Sequence, residues 1–258
     1  MKLIRGWIFL LLIAAMPLLG KEADFRKNVK IRHDGTHVID KIPQVNQKKS
    51  FCVPATVSMV LRYYDETINQ KKLAKLFDTG KDGTNPDMIL AKIGVGQFSD
   101  FSAKRIYALT TDEYEKAVNA ALDHPEMKRK NRKKIEKIFP GGDVREILYL
   151  IPPEVALKAM PEVRSACANA LKSGVKEYVD AGIPILWSVF MGFDPDERCE
   201  EGHMRLIVGY EEKAGKITKI IYRDSWGRRA DKKDMEFDNA VIMTTGMYII
   251  QPSSGNGN

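Results

Sequence analysis

The sequence has 258 residues, 44% of them hydrophobic and 29% charged, with 19 Gly, 12 Pro and a formal net charge of +7. A composition this close to the globular average excludes a disordered or collagen-like chain and leaves enough apolar side chains to bury a core. Three cysteines, Cys52, Cys167 and Cys199, are too few for a disulfide-stapled scaffold and too dispersed for a structural zinc site, so no metal and no cofactor is expected.

The first twenty residues, MKLIRGWIFLLLIAAMPLLG, set Lys2 and Arg5 ahead of an apolar run over 7–19 that gives way to KEADFRK. The run is short of the roughly 20 residues that span a bilayer. It therefore reads as a secretory signal, with export to the periplasm or beyond expected and a membrane tether only if the segment stays attached. Residues 21–50 read as extended and irregular, since Pro43 and the polar cluster in KIPQVNQKKS oppose helix. From Val53 onward, Val57, Val60, Leu61 and Tyr64 follow the spacing of an amphipathic helix. INQKKLAKLF, PDMILAKI, DEYEKAVNAAL and RSACANALKSGVKEYVDAG are further helical segments, the last stopping at Gly182. Lys128–Lys137, KRKNRKKIEK, carries seven Lys or Arg and one Glu between helical stretches. With no aromatic residues interleaved to stack on bases, it reads as a solvated face, and no nucleic-acid partner is expected.

After Gly182 the pattern changes to short β-branched and aromatic runs, IPILWSVF, MRLIVGY, KITKIIYRDSW and GMYIIQP, which are strand signals. Helices followed by antiparallel strands make an α+β fold, with a cleft expected where the halves meet. The division is a signal over 1–20 and one domain over 21–258, with a helical insertion at about 105–180.

Cys52 stands at the start of the helix in FCVPATVSMVLRYY, where Pro54 is tolerated in a first turn. The partial positive charge at a helix start favours thiolate, the nucleophilic form; the alternative is a small buried core residue. A thiol nucleophile needs a base, and the histidines are His33, His37, His124 and His203. His203 opens the strand-like GHMRLIVGY, which holds a ring in one orientation, whereas His124 lies at a helix end. His33 and His37 sit in the polar HDGTH turn as surface residues, a weak metal pair being the alternative. A turn near Gly215 sets residues near 206 opposite those near 224, so Asp224 in YRDSWG can orient the imidazole; the alternative is a turn residue.

PQVNQKKSFCVPATVSMVLRYY, then GIPILWSVF, GHMRLIVGY and YRDSWG, in that order, resemble the papain-like cysteine peptidases, specifically the bacteriocin-processing (double-glycine leader peptidase) group. The likeness covers about 40–75 and 180–252. It implies a papain-like arrangement in which the nucleophile helix packs on the C-terminal antiparallel sheet. It also implies Cys52 as nucleophile, His203 as general base and acid, Asp224 as the residue orienting the imidazole, and Gln47, five residues before Cys52, as an oxyanion donor. Gln44 competes for that last role. The chain departs from the group at Val53, where Gly is usual, and that side chain is expected where substrate backbone would pass. Trp226 is expected to pack near His203, and Thr84 or Asn85 to cap a helix.

The expected function is an exported cysteine peptidase acting on a peptide or protein substrate through an acyl-enzyme. The alternatives are an acyltransferase using the same residues and a non-catalytic peptide-binding module. The transporter segments of true leader peptidases are absent from these residues, so the leader substrate is not carried over. A Cys167–Cys199 disulfide is left open, no permanent membrane anchor is expected, and oligomeric state has no signal here.

Overall fold

The computed structural model describes residues 24–139, 141–226 and 233–253, so the expected signal over 1–20 lies outside the described residues. No helix among the described residues is long and apolar enough to cross a membrane.

A short hairpin, β1 (Val29–Ile31) and β2 (Thr36–Ile39), precedes three helices, α1 (Cys52–Tyr63), α2 (Gln70–Leu76) and α3 (Met88–Lys92). Strand β3 (Phe101–Ala108) leads into five more, α4 (Thr111–Asp123), α5 (Arg129–Ile138), α6 (Val144–Tyr149), α7 (Pro153–Val163) and α8 (Ser165–Gly174). The remainder is β4 (Ile185–Phe190), β5 (Gly202–Lys213), β6 (Lys216–Arg223), β7 (Lys233–Glu236), α9 (Phe237–Met243) and β8 (Thr244–Pro252). The strands join one antiparallel sheet, ordered β1-β2-β5-β4-β8-β3, with β6 also paired to β5 and β7 beyond it. This is the α+β class expected from the switch in pattern at Gly182.

The structure corrects the sequence reading at four places. Residues 21–50 are not irregular throughout, because Thr36, Val38 and Ile39 bury their side chains in a hairpin too short for alternation to stand out. Phe101–Ala108 is a strand paired with β8, and its exposed Lys104 and Arg105 conceal a partner that lies far along the chain. The basic run does not sit between helices; most of it forms α5, whose Ile135 is buried while Arg129, Lys130, Lys133, Lys134 and Lys137 face outward. Lys and Arg are good helix formers, and one apolar stripe is enough to dock the helix. The helix expected to end at Gly182 is regular only to Gly174, continues as a π turn over Val175–Val179, and stops before Gly182 at φ +77°.

The β5–β6 hairpin turns where expected, with Ala214 and Gly215 both at positive φ (49° and 76°) and Leu206 opposite Arg223. Helix α1 packs on β5 through Thr56, whose hydroxyl lies 2.8 Å from Cys52 O and 3.1 Å from Met204 O and shares its proton between them. The helical segment is tied to the sheet by Arg164, 3% exposed. Its guanidinium meets Glu113 at 3.3 Å, the Tyr107 hydroxyl at 3.1 Å, and the carbonyls of Ile242 and Thr244 at 2.7 and 2.5 Å. Each nitrogen of this buried cation thus finds an acceptor, the condition for holding a charge in a core. All three cysteines are free, so the Cys167–Cys199 bridge left open above is not formed. Cys167 is buried with its sulfur 3.6 Å from Val241 O, and burial pushes its pKa up.

Candidate active site

The chain enters α1 through a tight turn, Phe51 N–H to Lys48 O at 3.0 Å, with Ser50 in the left-handed region at φ 62°. The Ser50 hydroxyl donates to Lys81 O at 2.8 Å and holds this uncommon conformation in place. Cys52 is the first helical residue and is half-buried. No side chain among the described residues caps this end. The N–H groups of Cys52 and Val53, first-turn donors without an acceptor inside the helix, are therefore suited to binding an anion. Val53 itself is 2% exposed and packs in the core, so it does not fill the substrate path as expected from its type; it only edges the cleft.

Extending the β5–β6 register past Arg223 puts Asp224 opposite Arg205 and Trp226 opposite His203, with His203 and Arg205 on one face of β5. The side chains follow that prescription. His203 Nε2 lies 2.9 Å from Asp224 Oδ1, and both side chains are only 1% exposed. Trp226 stacks on the imidazole, centroids 4.2 Å apart and planes at 27°, and its backbone N–H donates to the same Asp224 oxygen at 2.9 Å. Cys52 lines the same cleft as His203, and its sulfur is among the groups that act on the charge of the imidazole. Since Nε2 faces Asp224, Nδ1 is the nitrogen left for sulfur.

Burial of Asp224 disfavours its charge, but His203, Arg205 and the Trp226 N–H outweigh burial and hold the carboxyl well below the usual range. Burial likewise opposes a proton on His203, yet hydrogen bonds and charge from Asp224 and Cys52 raise its pKa above the ordinary imidazole value.

The two glutamines separate. Gln44 Nε2 donates to Asp224 O at 2.9 Å, and the residue stands outside the cleft lining. Gln47 lines the cleft; its N–H bonds Ser225 O at 2.8 Å and its side-chain oxygen accepts from the Ser225 hydroxyl at 2.7 Å. That bond fixes the carbonyl end of the amide and leaves the NH2 end for the cleft. The cleft encloses about 710 Å³ and runs past Gln47, Cys52, His203 and Trp226. One wall bears Glu200 and Glu201; another bears Asp143 and Arg145 at the start of α6, paired at 3.2 Å. Thr84 bonds the Thr79 hydroxyl and Asn85 accepts from Asp87 N–H, so neither caps α3 by the expected side-chain bond.

The sequence model of the Peptidase_C39 like family matches residues 39–138 and 161–248, which is most of the chain and includes Gln47, Cys52, His203 and Asp224. The chain belongs to the Peptidase_C39 like family. Membership fits a cysteine peptidase, and the family match reaches well into the helical segment, leaving 139–160 between its two parts. Among solved structures, the chain is similar to the peptidase domain of Streptococcus ComA, a bi-functional ABC transporter involved in a quorum sensing pathway, with 13% identity over 83% of this chain and 100% of that one and a TM-score of 0.43. No curated protein matches.

Four residues in and around the site went unread in the sequence. Arg205 had a signal, a charged residue inside an otherwise apolar strand two positions after His203. Thr56 lies one turn after Cys52 on the helix that carries it, but its partner Met204 is set only by packing. Gln70 braces the approach to the site by accepting from Lys48 N–H and donating to Asn46 O, both at 2.8 Å. Ser225 was read only as part of a motif, and its bond to Gln47 needs the fold to bring the two together.

Proposed function

We propose that this member of the Peptidase_C39 like family cleaves peptide bonds with Cys52 as nucleophile, His203 as base and acid, and Asp224 as the group that orients the imidazole. The observation that carries the reading is that Cys52 and His203 line one cleft, with Asp224 2.9 Å from the imidazole and both members of that pair buried. In this reading the thiol proton passes to His203 and the sulfur attacks the substrate carbonyl carbon, pushing the π electrons onto oxygen. The Gln47 amide and the Cys52 N–H receive that oxyanion, a contribution of about 3 kcal/mol for a single good donor. Collapse breaks the C–N bond, and the amine leaves with the proton from His203. Water then gives a proton to His203 and attacks the thioester, releasing the acid and restoring the thiol.

Gln47 is favoured over Gln44 as the oxyanion donor because Gln44 spends its amide on the Asp224 carbonyl. The non-catalytic alternative is favoured only slightly by Val53, and that side chain packs in the core at 2% exposure, which speaks against its obstructing the cleft. An acyltransferase differs only in what accepts the acyl group.

The test is turnover of a casein-derived peptide mixture, with products read by mass spectrometry. Wild type is expected to cleave, while Cys52→Ala and His203→Ala, folded by circular dichroism, lose turnover. Equal cleavage by both variants overturns the reading.

A further inference from the structure

Arg205 sits directly behind the Asp224–His203 pair, 1% exposed, with Nε 3.0 Å from Asp224 Oδ2 and Nη2 2.6 Å from Asp194 Oδ2. Its guanidinium lies over the Tyr222 ring at 4.6 Å, and Nη1 has no hydrogen-bond partner among the described residues. Asp194 in turn accepts the N–H groups of Asp196 and Glu197 on its other oxygen, at 2.8 and 3.0 Å. A buried cation with one nitrogen unpaired costs stability that an apolar side chain of the same size would not. What it contributes must therefore be sought in what it holds. The two Asp224 oxygens are divided, Oδ1 to His203 and the Trp226 N–H, Oδ2 to Arg205. Removing Arg205 takes the partner from Oδ2 and frees the carboxylate to turn about its Cβ–Cγ bond.

We propose that Arg205 is a positioning residue, which fixes the plane of Asp224 so that Oδ1 faces His203 and, through Asp194, ties that orientation to the loop leading to Glu200 and Glu201 on the cleft wall. A planar fork can reach two carboxylates at once, and a lysine ammonium is a single point charge on a flexible stem. The proposal rests on the reading of Cys52 and His203 as the reacting pair.

Two readouts on the full chain test it. One is the NMR resonance of the His203 Nε2 proton, shifted downfield by its bond to Asp224; the other is the rate of acylation by 4-nitrophenyl acetate. In Arg205→Gln, whose neutral amide is too short to bridge both carboxylates, the resonance is expected to move upfield or broaden and acylation to slow about tenfold. Arg205→Lys recovers part of both. Asp194→Asn, which weakens the far end of the clamp, shifts the resonance in the same direction by less. The rings of His33, His37 and His124 report whether the fold is intact. A His203 Nε2 proton that stays put in a folded Arg205→Gln overturns the proposal, even where acylation falls, because slowing alone is what a merely structural residue would give. Should Arg205→Gln not fold, Asp194→Asn decides, and an unmoved resonance there overturns it equally. Wild type that is never acylated counts against the peptidase reading, while the resonance still judges the clamp.

Discussion

At the residue scale, Asp224 holds His203 Nε2 and makes the imidazolium easier to keep in a buried place, and in the proposed mechanism this leaves Nδ1 for the thiol. Asp224→Asn keeps the shape and removes the charge. The imidazole pKa then falls, so the limb of the rate profile that reports His203 moves to lower pH, and turnover drops by about a hundredfold at its optimum. Stability follows the same groups with opposite signs. The depressed pKa of Asp224 contributes stability above its ordinary 3.8 that is lost as pH falls; the raised pKa of His203 contributes stability below its ordinary 6.5 that is lost as pH rises through the folded value. The melting temperature of wild type should therefore exceed that of Asp224→Asn most between those two values, with the gap narrowing on both sides. Gln47→Ala is expected to lower kcat by about a hundredfold with little change in KM, because the donor acts on charge that develops only after attack.

At the scale of elements, the site is a junction between one helix start and one strand start, held together by few bonds. Thr56→Val keeps the volume and removes the hydroxyl that links the first turn of α1 to β5. The expected cost is about 1 kcal/mol of stability, read by urea unfolding, together with slower turnover from a displaced Cys52. This junction was legible in the sequence to the extent that its parts are local. A cysteine before an amphipathic helix, a histidine opening a strand and a hairpin centred on Gly215 are each written in consecutive residues. What pairs across the chain was not: β3 finds β8, Arg205 finds Asp194, and Ser225 finds Gln47 through packing that no short window encodes.

At the scale of the whole molecule, the helical segment between β3 and β4 is joined to the sheet through Arg164 and reaches the cleft through the start of α6. Arg164→Ala strands Glu113 and two carbonyls in the core and should cost about 3–5 kcal/mol, visible as a large fall in melting temperature. Asp143 and Arg145 line the cleft from the stretch between the two parts of the family match. The fold class was readable in the sequence, and much of the helical segment was not. Alternation and helix period report burial on a face, whereas α6, α7 and α9 are short helices whose apolar residues are divided among several neighbours.

The most direct measurement of the central claim is the rate of Cys52 alkylation by iodoacetamide against pH, followed on the Cys52 peptide by mass spectrometry, in wild type and His203→Ala. The account predicts that wild type is alkylated faster than His203→Ala, with pH curves of different shape, because the imidazole takes the thiol proton. Superimposable curves for the two proteins would contradict it.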